Sequence, residues 1–80
     1  MKARVTVTLK PGVLDPQGKA IEGALASLGF PGVAGVRQGK VFDIDIAETD
    51  KAKAEAALKA MAEKLLANTV IEKYEVAIDG

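Results

Sequence analysis

The sequence predicts a small α+β domain, with two helices on one face of a small, mainly antiparallel sheet. Strict alternation of apolar and polar residues marks a strand near each end of the chain. Two segments between them, residues 16–28 and 50–67, instead repeat apolar residues at helical spacing. The 80 residues, of which 49% are hydrophobic, suit one domain with one modest core. We therefore predict a single domain over residues 1–80.

The first strand is predicted over residues 1–10, where five apolar residues alternate with five polar ones. This pattern is typical of a strand with one buried face. Pro11 ends the strand because it has no N–H for the ladder, and Gly12 permits a sharp bend.

The first helix is predicted over residues 16–28. Asp15 is placed to cap its N-terminus, and Pro16 suits the first helical position. Gly29 is expected to end the helix in the left-handed conformation. One face of this helix is apolar and comprises Ile21, Ala24, Leu25 and Leu28.

The segment between the two helices allows two interpretations. A strand is predicted over residues 41–47, where apolar residues alternate with acidic ones. Residues 33–37 also have strand character, but Gln38 and Gly39 interrupt the pattern. These two residues form either a hairpin turn or, with Gly39 as a bulge, part of one long bent strand. We favour the long bent strand.

The second helix is predicted over residues 50–67, capped by Asp50 or Thr49. Asn68 is expected to end it in the left-handed conformation. Its predicted buried stripe comprises Ala54, Ala57, Leu58, Met61 and Leu65. The last strand is predicted over residues 70–78. The residues expected to face the core there are Val70, Tyr74, Val76 and Ile78.

These elements in this order, β-α-β(β)-α-β, give a ferredoxin-like layout. The sheet face opposite the helices is predicted to be partly apolar, through Val36, Val41, Ile71 and Ala77. An uncovered apolar face favours self-association. A small core without disulfides or metal also gains only about 3–5 kcal/mol of net stability, which oligomerisation commonly supplements. We therefore expect a homo-oligomer.

Composition excludes several classes of function. The 11 basic and 11 acidic residues balance, so charge gives no reason to expect a nucleic acid or an anionic membrane as partner. The chain has no cysteine and no histidine, which excludes disulfides, zinc sites and a histidine general base. We expect no catalytic residue, no bound cofactor and no metal in this chain, and a soluble, cytoplasmic protein.

Two exposed segments are the candidate functional sites. Residues 11–18 join the first strand to a helix N-terminus, and this loop is expected to present Asp15 and Gln17 to a protein partner. The loop lacks the glycine spacing and the lysine of a phosphate-binding P-loop. Arg37 and Lys40 bring two cations to a second exposed tip.

Several blocks of the sequence resemble one known family. The stretch VTLKPGVLDPQGKAI at residues 7–21 resembles the opening of the PurS subunit of phosphoribosylformylglycinamidine synthase. Later blocks of the family are similar to LGF at 28–30, VRQGK at 36–40 and KLLANTVIEKY at 64–74. The resemblance covers essentially the whole chain. Thr69 departs from the family, which usually has proline at this place in the turn before the last strand.

The resemblance implies a role in de novo purine biosynthesis. The family's complex uses ATP and Mg to convert formylglycinamide ribonucleotide and glutamine into formylglycinamidine ribonucleotide and glutamate. A glutaminase subunit releases ammonia, a large synthetase subunit uses ATP, and the small subunit bridges the two. The resemblance thus implies a non-catalytic chain that forms dimers or tetramers and contacts both larger subunits. The residues assigned to partner contacts are Leu14, Asp15, Gln17, Arg37 and Lys40.

The alternative is a free-standing ferredoxin-like regulatory domain that binds a small molecule. It is motivated by the glycine-rich segment from Gly35 to Gly39 beside the predicted sheet. A stand-alone isomerase or phosphatase is disfavoured because no general base is evident.

Overall fold

The computed structural model describes residues 1–79. The strands are β1 (Lys2–Leu9), β2 (Gly39–Asp45) and β3 (Glu72–Asp79), and the helices are α1 (Pro16–Ser27) and α2 (Lys51–Met61). A π-helical turn, Ala62–Leu66, continues α2. Both strand pairs are antiparallel, and β1 lies between β2 and β3. The predicted α+β class and the element order β-α-β-α-β are confirmed.

The apolar face of β1 forms the centre of the core. Alternate residues of a strand share a face, and Val5 and Val7 are 0% and 1% exposed. They belong to one apolar cluster with Leu58 of α2, which is also fully buried. Half-buried Phe42 of β2 and Val76 of β3 pack against this cluster from the neighbouring strands. The alternation predicted for β1 therefore decides which face of the sheet is covered.

The end of α2 departs from α-helical register. Leu58 and Ala62 are both buried, four residues apart, as one face of an α-helix requires. The Ala67 N–H then donates to the Ala62 oxygen at 2.8 Å, five residues back, which is the hydrogen bond of a π-helix. The wider turn brings Ala67 into the core and leaves Leu65 83% exposed. The prediction that Leu65 is buried is wrong, as is that for Met61, which is 37% exposed.

α1 lies away from the sheet, which corrects the predicted pair of helices on one face. Within residues 1–79, Gly18 is the one buried residue of α1, while Ile21 of α1 and Leu28, which caps its C-terminus, are 37% and 72% exposed. Strands lie about 4.8 Å apart and a helix with its side chains is about 10–12 Å wide, so three strands have room for one helix. The chain is accordingly elongated, with a radius of gyration of 16.0 Å, against about 12 Å for a compact chain of this length.

Residues 33–38 form neither of the two predicted structures. They have no regular secondary structure, and β2 begins at Gly39. The Gln38 N–H donates to the Asp15 carboxylate rather than to a neighbouring strand. The hairpin turn and the long bent strand are therefore both wrong. This backbone is bonded by a side chain and adds no fourth strand to the sheet.

The open face of the sheet carries charged residues and two of the four apolar residues predicted there, Val41, which is 57% exposed opposite Thr6, and Ala77, which is exposed opposite Arg4. Val36 and Ile71, two of the four apolar residues expected there, lie outside the strands. Lys2 of β1 is paired with Asp45 of β2 on one side and Asp79 of β3 on the other. Opposite charges on neighbouring strands stabilise a sheet. The predicted partly apolar face is therefore confirmed in part, and self-association through it stays a prediction.

The predicted starts of both helices are confirmed. The Asp15 carboxylate accepts a hydrogen bond from the Gly18 N–H at 2.9 Å and caps α1. Asp50, rather than Thr49, caps α2 and accepts from the Ala52 N–H at 2.9 Å. Each cap satisfies a backbone donor that the first helical turn leaves free.

The two helix ends differ from each other. Gly29 follows α1 with a φ angle of +96°, the left-handed conformation that was predicted. The same prediction for Asn68 is wrong, because positive φ angles in residues 1–79 belong to glycines. The π-helical turn instead ends with Ala67 in an extended conformation.

Asn68 organises the turn that enters β3. Its backbone oxygen accepts from the N–H groups of Ile71 at 3.1 Å and Glu72 at 2.7 Å. Its side-chain oxygen accepts from the Val70 N–H at 3.2 Å. Thr69 is the second residue of this turn, where proline is favoured, and its N–H donates to no acceptor in the described residues.

Thr69→Pro is therefore expected to raise the free energy of unfolding by about 0.4–1 kcal/mol, because proline restricts the unfolded chain and removes no hydrogen bond here. Val70→Pro is the matched control and should destabilise the protein, since the Val70 N–H is bonded to Asn68. Chemical denaturation of the three proteins measures both effects. A less stable Thr69→Pro protein would contradict this description of the turn.

Candidate functional site

The predicted interface residues lie around the base of α1, in two adjoining cavities. Leu14, Asp15 and Arg37 line one cavity of about 330 Å³. Asp15, Gln17 and Lys40 line the other, of about 460 Å³. Because Asp15 lines both, the fold brings all five residues to one place, although their roles there differ.

Asp15 is buried, not exposed as its loop position had suggested; 9% of its surface is accessible. Its Oδ1 accepts the Gly18 N–H at 2.9 Å, and its Oδ2 accepts the Gln38 N–H at 2.7 Å. These backbone donors, Gln38 above all, hold the pKa of the Asp15 carboxyl below its usual value because they stabilise the charged form. The carboxylate is thus occupied by its own chain.

Arg37 is likewise engaged within the chain, although its side chain is near the surface. Its Nη2 donates to the carbonyl oxygens of Lys10 at 3.1 Å and Val13 at 3.2 Å, and lies 3.5 Å from that of Leu9. These carbonyls belong to the end of β1 and the loop that follows it. A guanidinium has several donors in a fixed geometry, so one side chain can hold this loop in place.

Gly18 allows the first turn of α1 to approach the segment before β2. A Cβ atom at this position would lie 2.1 Å from the Val36 oxygen, a distance that no side chain tolerates. We refer to Asp15, Gly18, Arg37 and Gln38 together as the latch, because their contacts join the start of α1, the segment before β2 and the loop after β1.

Three of the predicted interface residues are free to meet a partner. Leu14 is 79% exposed, and Gln17 is exposed on the first turn of α1. Lys40 is exposed as well and forms an ion pair with Glu72 at 3.9 Å. A surface ion pair of this kind contributes little stability, so Lys40 can exchange its partner at small cost. The role of these three residues in partner binding stays a prediction.

The single tyrosine, Tyr74, lies in β3 and donates to Glu63 at 2.7 Å, a bond that raises the pKa of Tyr74. In the part of the chain that the structure describes, no group of acidic side chains is arranged to hold a metal ion. No helix within residues 1–79 combines the length and the apolar character needed to span a membrane.

Sequence reasoning missed Gly18, Gln38 and Glu72 as members of this site. Gly18 did carry a signal, because glycine inside a helix costs about 1 kcal/mol relative to alanine and a close backbone approach can explain it. Gln38 contributes its backbone N–H, which any residue but proline provides, so no side-chain pattern identifies it.

Similarity to known proteins extends over the whole chain. Residues 2–80 match the family model PurS, described as phosphoribosylformylglycinamidine (FGAM) synthase. The chain belongs to the PurS family. It is 48% identical over 71 residues to the PurS subunit of Synechocystis sp., covering 89% of this chain and 71% of that protein. It is 45% identical over 78 residues to Bacillus subtilis PurS, covering 98% and 92% respectively.

Solved PurS structures have the same fold. Bacillus subtilis PurS, 44% identical, superposes with a TM-score of 0.90 over 99% of this chain and 98% of that one. A chain in the PurLQS structure from Thermotoga maritima, 34% identical, gives a TM-score of 0.85 over 95% and 93%. Because the first superposition includes α1, its position away from the sheet is a shared feature. The resemblance inferred from the sequence blocks is confirmed.

Asp15 is expected to make stability depend on pH. Its folded-state pKa lies below the unfolded value of 3.8, so its stabilising effect is complete above that value and is lost as the pH falls through the folded-state pKa. Asp15→Asn has no carboxyl to titrate at this position. The difference in melting temperature between the wild type and this variant should therefore be constant from about pH 7 to about pH 5 and shrink as the pH falls below 3.8. Thermal unfolding followed by circular dichroism measures it, and a constant difference would contradict the prediction.

Proposed function

We propose that this chain is the small, non-catalytic bridging subunit of phosphoribosylformylglycinamidine synthase in de novo purine biosynthesis. The observation that carries the proposal is the match of residues 2–80 to the PurS family. A chain of the same fold occurs in the structure named PurLQS from Thermotoga maritima. In the proposed complex, which acts in the cytoplasm, a glutaminase subunit releases ammonia and a large synthetase subunit consumes it. The small subunit holds the two together while ammonia passes between them.

The composition of the chain supports a bridging role for this subunit and catalytic roles for the two larger ones. A glutaminase needs an activated nucleophile, and the chain has neither cysteine nor histidine. The larger subunits then supply the catalytic groups and hold ATP and Mg. The small subunit supplies a binding surface, for which we propose Leu14, in one of the two cavities at the base of α1, and Gln17 and Lys40, in the other.

The chain is further proposed to act as a homo-oligomer, a dimer or a tetramer, with α1 against a second copy. Its accessible surface is 5655 Å², against about 4,600 Å² for a compact protein of this mass. The excess of roughly 1,000 Å² is comparable with the ~800 Å² that each partner buries in a standard interface. Exposed apolar side chains provide this surface on and after α1: Ile21, Leu28 and Phe30.

A free-standing regulatory domain is less favoured by the geometry. The segment from Gly35 to Gly39 suggested a ligand-binding turn in the sequence. In the structure, Arg37 and Gln38 within this segment are bonded to the loop after β1 and to Asp15. Its polar groups are therefore engaged inside the chain.

Reconstitution tests the bridging role. Glutaminase and synthetase subunits without this chain are expected to lose glutamine-dependent turnover but retain turnover with added ammonia, because only the transfer of ammonia between them fails. Adding the chain should restore glutamine-dependent turnover. Leu14→Ala should raise the concentration of chain required, whereas Leu65→Ala, at an equally exposed leucine far along the sequence, should not. Full glutamine-dependent turnover without the chain would refute the proposal.

The oligomer has a separate test. Leu28→Glu places a charge on the apolar stripe of α1 and is expected to shift the chain to the monomer in analytical ultracentrifugation, because burying an unpaired charge is costly. Ala26→Glu introduces the same charge on a different side of α1 and should leave the oligomer intact. A wild-type chain that is already monomeric, or equal dissociation by both variants, would count against α1 as the interface.

A further inference from the structure

The described chain divides into a body and an arm. The body consists of the sheet and α2, and its apolar cluster draws its members from residues 3–7 and 42–78. The arm consists of residues 16–36, which are α1 and the segment that returns towards β2. Within residues 1–79, the arm contributes no side chain to this cluster. Burial of apolar surface therefore stabilises the body without fixing the arm.

The arm begins and ends at the latch. Asp15 precedes α1 and Gln38 follows the returning segment, and the 2.7 Å bond between them closes the base of the arm. Arg37 ties the same point to the loop after β1 through the carbonyl oxygens of Lys10 and Val13, and the Lys10 N–H bonds that loop to the Ile71 oxygen beside β3 at 2.8 Å. Directed hydrogen bonds thus join the base of the arm to the body, and the arm adds no side chain to the apolar cluster.

We propose that the latch sets the direction in which the arm leaves the body, with Asp15 and Arg37 as positioning residues for the apolar stripe of α1. A hydrogen bond weakens steeply when its angle changes, whereas apolar contact has no preferred direction. Breaking either connection should leave α1 and the sheet folded but widen the range of angles between them. This proposal rests on the proposed function in one respect: the partner that α1 contacts is taken to be a second copy of the chain.

Variants of Asp15 can separate the capping of α1 from the hydrogen bond that closes the latch. One carboxylate oxygen accepts from Gly18 and caps α1, while the other accepts from Gln38 and closes the latch. In Asp15→Asn, one of the two oxygens becomes an NH₂ group that cannot accept. Asparagine caps helices as well as aspartate does, so this variant keeps the cap and loses the bond to Gln38. Asp15→Ala loses both.

The absence of cysteine makes a direct measurement possible. Spin labels at Ser27→Cys in α1 and Glu75→Cys in β3 lie at exposed positions of the arm and the body. Pulsed EPR on doubly labelled chains, diluted into excess unlabelled chain, then reports the distance within one molecule. The distance distribution is expected to broaden clearly in Asp15→Asn and in Arg37→Ala. Gln17→Ala is the control and should match the wild type, because it keeps the backbone N–H that faces Asp15 and removes only a side chain that makes no hydrogen bond of the latch.

Two further arginine variants sharpen the test. Arg4→Ala removes a guanidinium that pairs with Asp43 on the open sheet face, and it should not change the distribution. All the contacts of Arg37 come from its Nη2; Arg37→Lys keeps the charge but places its donors on a flexible stem instead of a planar group, so it should restore the wild-type distribution only in part. Broadening caused equally by Arg4→Ala would mean that charge, not the latch, orients the arm.

Several outcomes would overturn the proposal. Distributions that stay unchanged in both Asp15→Asn and Arg37→Ala would show that the latch does not orient the arm. Faster amide exchange in β1 of both variants would also overturn it, because the latch would then belong to the cooperative core. A monomeric wild-type chain would refute the homo-oligomer but leave this measurement valid, so the two failures are distinguishable.

Discussion

The width of the sheet is the constraint on which the rest of this structure depends. β1 is flanked by one strand on each side, and its apolar face must be covered because Val5 and Val7 are almost completely buried. Three strands provide room for about one helix, and α2 occupies that place through Leu58 and Ala62. α1 has an apolar stripe of its own but no sheet to cover. Its exposure follows from the geometry of the body rather than from any weakness of the helix.

This geometry is consistent with a chain that works only within an assembly. A helix whose apolar residues face solvent is stabilised less by its own chain than by whatever it meets. Leu28 and Phe30 are 72% and 56% exposed, and both lie at the end of α1. The contribution proposed for this subunit is the relative placement of the other chains.

Sequence patterns predicted the features that neighbouring residues decide. The alternation in β1, the Asp15 cap and the Gly29 helix end each depend on a few consecutive residues, and each is confirmed. The errors involve contacts that no local pattern contains. Asp15 looked exposed because its second partner, Gln38, is 23 residues away. Leu65 looked buried because a regular α-helix was assumed up to the point where the π-helical turn changes the register.

The candidate site illustrates the same limit. Family resemblance brought together the residues that do lie around the base of α1, but it could not separate those that hold the chain from those that face outwards. Asp15 and Arg37 are occupied by backbone groups, whereas Leu14 is exposed. In the sequence, the residues that hold the chain and those that face outwards look alike, because both are polar or lie in loops. Only the folded backbone shows which donors and acceptors are already hydrogen-bonded within the chain.

A polar connection between arm and body has a physical advantage over an apolar one. If α1 packed on the body through Ile21 and Leu28, the same side chains would be unavailable to a second copy, and binding would first have to break that packing. Hydrogen bonds from Asp15 and Arg37 use backbone groups at the base of the arm and leave the stripe free. These hydrogen bonds lie away from the apolar stripe. They can therefore stay intact when a second copy of the chain covers the stripe. The arm can therefore be oriented before it meets its partner, which reduces the ordering that association requires.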